Sequence, residues 1–443
     1  MTTRRQLTTR RQLLGGALGL SAASVVAACS SGDPEGDVPS PVTTSTATDA
    51  EQAASIALWA AAGAARAGSY GIGGVLLESA TGRVLKTMPN RVFARLSDRD
   101  PDAGVFVWDP TAHGERQLMS WYLAQSATTA MPPPEALTLV TTVDPCLMCA
   151  SSLLEVGVAV GTVAPDTFSG INYALDGQFA DLPEPLRARA RGRFGYFAVD
   201  GVRGYEGGSE AAFVGQSVAR GTYDECANLY AASADAVRAE RRAQDVSPEE
   251  LRDPATDSAA VPVVRAFEAT SPGAFTVTLD EYRSPDAKLR ELLEATVRRM
   301  PGSTNACAYI DPFGNVLSIA ADQSHVNALN TAFALCTRTY AQTRFALISD
   351  PRTADVAGQT LTNPTRGTFV WLTAPDYRTA LGMFDIGAYG STMGSPASPY
   401  IPSAFQYYAL PAGVSAVELQ DAIYPLPPLY SEHIAISPQQ VVG

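Results

Sequence analysis

Apolar positions recur along residues 50–68 (AEQAASIALWAAAGAARAG) at the spacing of a helix. The period then changes. Ile72–Leu77 is a continuous apolar run, Ser79-Ala80-Thr81-Gly82 forms a turn, and Arg83–Lys86 opens a second strand. A helical pattern covers 111–126, a buried-type strand 137–143 (LTLVTTV), a further helix 146–156 and a further strand 157–163. The same order begins again later in the chain. An amphipathic helix is predicted at 286–300, strands at Ala306–Ile310 and Asn315–Ala320 around the turn Asp311-Pro312-Phe313-Gly314, and a helix at 325–337. The strongest internal match sets TLVTTVDPCLMCASSLLEVGVAVG, from Thr138, against TFVWLTAPDYRTALGMFDIGAYGS, from Thr368, without a gap. Thr138/Thr368, Val140/Val370, Pro145/Pro375, Ala150/Ala380 and Gly157/Gly387 are identical in it, and the preceding helix pairs His113 with His325. The pattern predicts an α/β fold in tandem, its copies joined by a helix at 223–244 and a Pro/Asp/Ser-rich linker.

Composition agrees with two folded domains. The chain has 443 residues, 46% hydrophobic and 17% charged, which suits a globular protein rather than a disordered one. The net charge is −13. Arg4, Arg5, Arg10 and Arg11 precede any acidic residue, which leaves 28 basic against 45 acidic groups for the rest, a net of −17. Lys86 and Lys288 are the two lysines. A large nucleic-acid partner, which requires clustered cations, is disfavoured. The first residues, MTTRRQLTTRRQLLGGALGLSAASVVAACSSG, place two Arg-Arg pairs ahead of an apolar run from Leu13 to Ala28, short for a membrane-spanning helix. This segment resembles a twin-arginine export signal, and Val26-Ala27-Ala28-Cys29 resembles a bacterial lipobox. The resemblance implies a lipid on Cys29 and an extracytoplasmic protein anchored to the outer face of the cytoplasmic membrane. The expected divisions are a signal at 1–29, a flexible tether at 30–49, a first domain at 50–225, a helical linker segment at 226–262 and a second, degenerate domain at 263–443. Cys226, Cys307 and Cys336 are widely spaced and read as buried apolar residues rather than a disulfide framework.

The chemistry lies in the first copy. Asp109-Pro110-Thr111-Ala112-His113-Gly114-Glu115 opens one predicted helix, and Pro145-Cys146-Leu147-Met148-Cys149 opens another. One His and two Cys suit zinc, and three protein ligands are a catalytic stoichiometry because the fourth position stays free. Cys146 and Cys149 lie one turn apart on the same helix face. A lone C-x-x-C also occurs in redox pairs and structural zinc knots, but neither accounts for the upstream His-x-Glu.

His-x-Glu followed by Pro-Cys-x-x-Cys resembles the signature of the zinc-dependent cytidine deaminase superfamily. Asp-Pro-Thr-Ala-His-x-Glu and Asp-Pro-Cys-x-Met-Cys are nearest to its tRNA-adenosine, guanine and cytosine deaminase branch. The likeness covers roughly residues 50–175, and more weakly the second copy. It implies a three-layer α/β/α sandwich with a mixed sheet. It also implies Zn²⁺ held by His113, Cys146 and Cys149, and Glu115 as the proton carrier. By the same resemblance Asn90, the backbone N–H of Ala112 or Gly114, Phe168 and Tyr173 meet the substrate, although 22 residues separate Asn90 from His113. Gly114 departs from the branch, which has Ala there. The second copy keeps His325 but has Asn327, Asp376 and Thr379 where the Glu and the two Cys would be, so it carries no site. It could pack on the first as an internal pseudo-dimer. The expected activity is hydrolytic deamination of a small nucleobase or nucleoside. The rival readings are a base-binding lipoprotein of weak turnover, a deaminase-type toxin and a structural zinc protein.

Overall fold

A computed structural model of the chain describes residues 45–441, apart from 98–102, 173–178, 180, 181, 183, 185, 209, 244, 245, 247–249, 380, 393–403, 424, 425 and 428–437. Cys29 and Tyr173 lie outside the described residues. Helix α1 (Ala50–Arg66) starts at Asp49, whose carboxylate accepts the Gln52 N–H at 2.8 Å. Residues 45–49, expected to end the tether, dock on the fold instead. Thr46 bridges Arg83, and the Ala47 N–H donates to the Gly82 carbonyl at 2.9 Å.

The first copy continues as β1 (Gly73–Glu78), β2 (Val84–Pro89), a short hairpin of β3 (Phe93–Arg95) and β4 (Val105–Val107), α2 (Gly114–Ser126), β5 (Leu137–Val143), α3 (Leu147–Val156), β6 (Ala159–Ala164), α4 (Leu186–Arg193) and β7 (Phe194–Tyr196). Two-residue strands β8 (Ala198–Val199), β9 (Glu206–Gly207) and β10 (Ser217–Val218) precede α5 (Arg220–Ala243). The sheet order is β2-β1-β5-β6-β7-β9. β1 is antiparallel to both neighbours, whereas β5, β6 and β7 run parallel. The alternation of side chains along β1 sorts the layers. Val75 and Leu77 join the apolar cluster of α1 and Cys226 of α5, and Leu76 joins that of α2 and α3. Helix α5 packs on α1 and on β5 and β6, so the boundary expected after residue 225 falls inside a helix of the first copy.

After α6 (Val261–Thr270), the second copy runs α7 (Ala287–Arg299), β11 (Ala306–Ile310), β12 (Val316–Ala321), α8 (Ala332–Ser349), α9 (Ala354–Thr360), β13 (Thr368–Thr373), α10 (Gly387–Thr392), β14 (Phe405–Ala409), α11 (Ala416–Asp421) and β15 (Gln439–Gln440). Its sheet order is β12-β11-β13-β14-β15, with β11 antiparallel to both neighbours and the last three strands parallel. The register repeats as well. Val75 faces Val140 and Leu77 faces Thr138 in the first copy; Ala308 faces Val370 and Ile310 faces Thr368 in the second. Each sheet carries a register shift at the same place, between Leu76 and Leu77 and between Tyr309 and Ile310. The expected mixed-sheet α/β/α sandwich is therefore present twice. The copies belong to one compact unit, and one apolar cluster runs from Leu118 and Leu153 of the first through Phe333 and Tyr340 of the second.

Two predicted correspondences fail. The helix expected at 325–337 begins at Ala332, because Thr331 caps it by accepting the Ala334 N–H at 3.2 Å. His325 is exposed in the turn ahead of it. Beyond Ile386 the ungapped match also breaks. It sets Gly390 against Val160, but Gly390 lies in α10, and Phe405 takes the place of Val160 in the sheet.

Candidate metal centre

His113 and Cys146 are the capping residues of α2 and α3, both with extended backbone (φ −66°, ψ 144° and φ −64°, ψ 164°). Each helix thus presents its unsatisfied N–H groups and positive dipole end beside a ligand. His113 Nδ1 lies 3.6 Å from Cys146 Sγ, and the donor atoms of His113, Cys146 and Cys149 all fall within 4.8 Å of one another. Cys149 is buried and Cys146 half-buried. The adjacent Cys149 side chain, and next the facing His113, hold the Cys146 thiol well below its usual range. Burial pushes Cys149 up. A site with one thiolate already favoured, a second thiol and an imidazole fits zinc, which takes deprotonated sulfur.

Glu115 lies in the first turn of α2 and is buried. Its Oε1 accepts the Thr141 hydroxyl at 3.0 Å, and its Oε2 accepts the Cys149 thiol at 3.4 Å. Burial, and next the negative sulfur of Cys146, raise its affinity for a proton. A carboxyl so placed, with its proton affinity raised, is suited to carry a proton.

The 22-residue separation of Asn90 from His113 closes in space. The β3–β4 hairpin absorbs the added length, and its base is tied by Trp108 N–H to the Val92 carbonyl (2.8 Å) and by Arg91 N–H to the Ala112 carbonyl (2.8 Å). Asn90 is fully buried. Its Oδ1 accepts Ser69 Oγ at 2.7 Å and the Val92 N–H at 3.0 Å, which fixes the orientation of the amide and leaves its Nδ2 without a partner. Gly114 is set by space rather than by flexibility. A Cβ there would lie 3.0 Å from the Met88 carbonyl oxygen and 3.5 Å from the Pro89 carbonyl carbon. The Ala112 N–H, one of the two expected backbone contacts, is committed to the Asp109 carbonyl at 3.0 Å.

On the cysteine side, Asp144 braces the loop. Its Oδ1 accepts Tyr196 Oη and its Oδ2 accepts the Asn172 N–H, both at 2.7 Å. Cys146 bridges Gly170, where a Cβ would fall 2.2 Å from Asp144 Oδ2. Phe168 precedes this bridge by two residues, with the Arg238 guanidinium 5.7 Å from its ring centroid. It is the expected pocket-closing residue that the described structure places.

The second copy shows what replaces the site. Matching the helix caps sets Thr331 against His113 and therefore Phe333 against Glu115. The sheet register sets Trp371 against Thr141. The hydrogen-bonded pair Glu115–Thr141 thus becomes the ring pair Phe333–Trp371, 5.4 Å apart, which packs on Phe369 and Phe405. Asp376, opposite Cys146 in the alignment, is tied to Arg378 at 2.7 Å.

Sequence reasoning missed three groups. Thr141 sits in a strand of apolar and hydroxyl residues, and only the register aims it at Glu115. Arg116 is fully buried and donates to Asp385 (2.5 and 3.3 Å), Ser152 Oγ (3.1 Å) and the Leu329 carbonyl (2.7 Å). Arg338 of α8 reaches Asp109. An arginine on the inward side of a predicted helix was the one available signal for Arg116.

No family profile and no curated protein matches the chain. Solved structures do. One, from studies of A-to-I editing by tRNA A34 deaminases, is 26% identical over 26% of this chain and 77% of that one, with a TM-score of 0.20. A guanine deaminase from Nitrosomonas europaea is 17% identical over 43% of this chain and 87% of that one, with a TM-score of 0.26. A structure in complex with 2,6-diaminopurine is 18% identical over 41% of this chain and 80% of that one, with a TM-score of 0.25. The sheet order, the layers and the repeated register described above make the architecture a mixed-sheet α/β/α sandwich, present in tandem.

Proposed function

We propose that the chain is a zinc-dependent aminohydrolase that deaminates a small nucleobase or nucleoside of the cytosine, guanine or adenine type. The observation that carries this is the convergence of His113, Cys146 and Cys149 at two helix N-termini with the Glu115 carboxylate against Cys149. His113, Cys146 and Cys149 would hold the ion. When bound, zinc supplies Lewis acidity that makes water nucleophilic at neutral pH. Glu115 would pass one proton of the attacking water to the ring nitrogen as the water oxygen bonds to the amine-bearing carbon, and would then move the second proton of that oxygen to the amine, whose C–N bond breaks to release ammonia. The Thr141 hydroxyl holds one oxygen of Glu115 and so orients the other. Asn90 Nδ2, a buried donor with no protein partner, supplies a hydrogen bond to an acceptor on the base. Phe168 offers an apolar face to the ring.

The net charge of −17 after the first arginines favours a small substrate over a nucleic acid. The twin-arginine and lipobox resemblances support export and anchoring through Cys29, so the substrate would come from outside the cytoplasm. Among the described residues no helix is long and apolar enough to cross a membrane.

The test is ammonia release by the purified, zinc-loaded protein from cytosine, adenine, guanine and their nucleosides. Release from at least one compound, lost in Glu115→Gln with zinc retained, is the expected result. Stoichiometric zinc with no ammonia from any compound would overturn the reading.

A further inference from the structure

We propose that Arg338, on helix α8 of the copy without the cluster, is a positioning residue that holds the His113 loop in its metal-binding conformation. The inference rests on the metal-site part of the reading above. The loop enters α2 through a tight turn. Asp109 Oδ1 accepts the Thr111 N–H at 2.8 Å and the Thr111 hydroxyl at 2.7 Å, and the Ala112 N–H closes onto the Asp109 carbonyl at 3.0 Å. His113 is the next residue. Its ring direction therefore follows from where this turn sits.

Arg338 grips the turn at two atoms. Its Nε and Nη2 both donate to Thr111 Oγ1, at 3.2 and 3.0 Å, and the Nε also lies 3.2 Å from Asp109 Oδ2, the oxygen not engaged by Thr111. The Thr111 hydroxyl is thereby given both roles, donor to Asp109 and acceptor from Arg338. Asp109 and Thr111 are both buried, so one guanidinium meets the charge of the first as an ion pair and the hydroxyl of the second with two N–H groups. A second contact from the same helix supports the approach, with the Arg344 guanidinium 4.5 Å from the Phe106 ring centroid in the hairpin that leads into the loop. The copy that lost its own metal ligands thus supplies a brace to the copy that kept them. Outer groups that orient a ligand typically change metal affinity by 10–100-fold when removed.

Truncating Arg338 leaves the Asp109 carboxylate, which is 9% exposed, without its cation, so metal affinity and fold stability are read separately. The test uses the full chain with Arg338→Ala and Arg338→Lys. Zinc affinity is measured by competition with a chelator, cobalt substitution by its visible absorption, and the metal-free fold by urea unfolding. Arg338→Ala is expected to bind zinc about tenfold more weakly and to shift the cobalt bands in the fully folded protein, beyond what any lowering of the metal-free unfolding midpoint accounts for. Lysine keeps a charge for Asp109 but lacks the paired N–H groups that meet Thr111, so Arg338→Lys should recover part of the affinity. Wild-type zinc affinity and cobalt bands in Arg338→Ala would overturn the proposal, as would a loss of zinc that only tracks a loss of folded protein. A wild-type chain that takes up no metal would overturn this and the metal site together. Zinc bound with no ammonia released would overturn the deaminase reading and leave the brace standing.

Discussion

The two copies have the same sheet topology and differ at two helix starts. Val75 opposite Val140 and Ala308 opposite Val370 keep the same register, and both central strands shift register at the same point. Yet His113 gives way to Thr331, Glu115 to Phe333, and the Cys-x-x-Cys helix to a turn that ends in the short 3₁₀ segment Phe384–Ile386. The difference teaches that scaffold and chemistry are separable in this fold. A strand is held by neighbours on both edges and both faces, so a one-residue slip would turn its whole apolar set outward. The position ahead of a helix asks only for extended backbone, and Thr331 adds there a side-chain cap that neither His113 nor Cys146 makes. Removing the buried carboxyl and its hydroxyl partner leaves a volume, and Phe333 and Trp371 fill it with aromatic contact. Asp385, from that same turn, then serves the first copy through Arg116.

The largest effect comes from making the first copy resemble the second. His113→Thr keeps a capping residue on α2 but removes one of three donors. Zinc binding should weaken by on the order of a hundredfold or more, measured by metal analysis after dialysis against a chelator. Ammonia release should vanish with it, while the circular dichroism spectrum stays.

Next in size is the joint between the copies. Asp385→Ala leaves Arg116 buried and without its carboxylate, which should cost about 3–5 kcal/mol in urea unfolding. Joint replacement by Arg116→Met and Asp385→Leu should recover most of that loss. Equal stability of Asp385→Ala and wild type would mean that the ion pair does not hold the copies together.

The smallest effect separates the copies by pH. Burial raises the Asp311 carboxyl, in the turn between β11 and β12, to about 7. The unfolded chain releases this proton near pH 4. Between about pH 4 and 7 the folded form therefore holds the extra proton, so the group's contribution to stability falls as pH rises through that window and levels off above it. Asp311→Asn should remove about 2 kcal/mol of the decline between pH 5 and 7, read from urea midpoints at several pH values. An unchanged slope would mean that Asp311 titrates alike in both states.

Much of the scaffold is legible in the chain. LTLVTTV marks β5 to the residue, and the spacing of Cys146 and Cys149 places both at one helix start. His325 misled because one matching His outweighed the local cap. Thr331, not His325, has the hydroxyl that satisfies the helix N-terminus, and the backbone follows the cap. The β3–β4 hairpin went unread because three-residue strands are too short to show a period. Asn90 therefore looked remote from His113.

What the sequence by itself determined is what lies within a few residues: the strand and helix periods, the donor types at 113, 146 and 149, and the carboxylate two positions after the histidine. These follow from backbone sterics and side-chain chemistry, which act locally. Only the tertiary structure decided that the two helix starts face each other, that Thr141 aims at Glu115, that Asn90 keeps a free donor, and that Arg338 and Asp385 cross from the second copy to the first. Such contacts join residues far apart in the chain, and they form where burial in a shared core leaves a polar group no other partner.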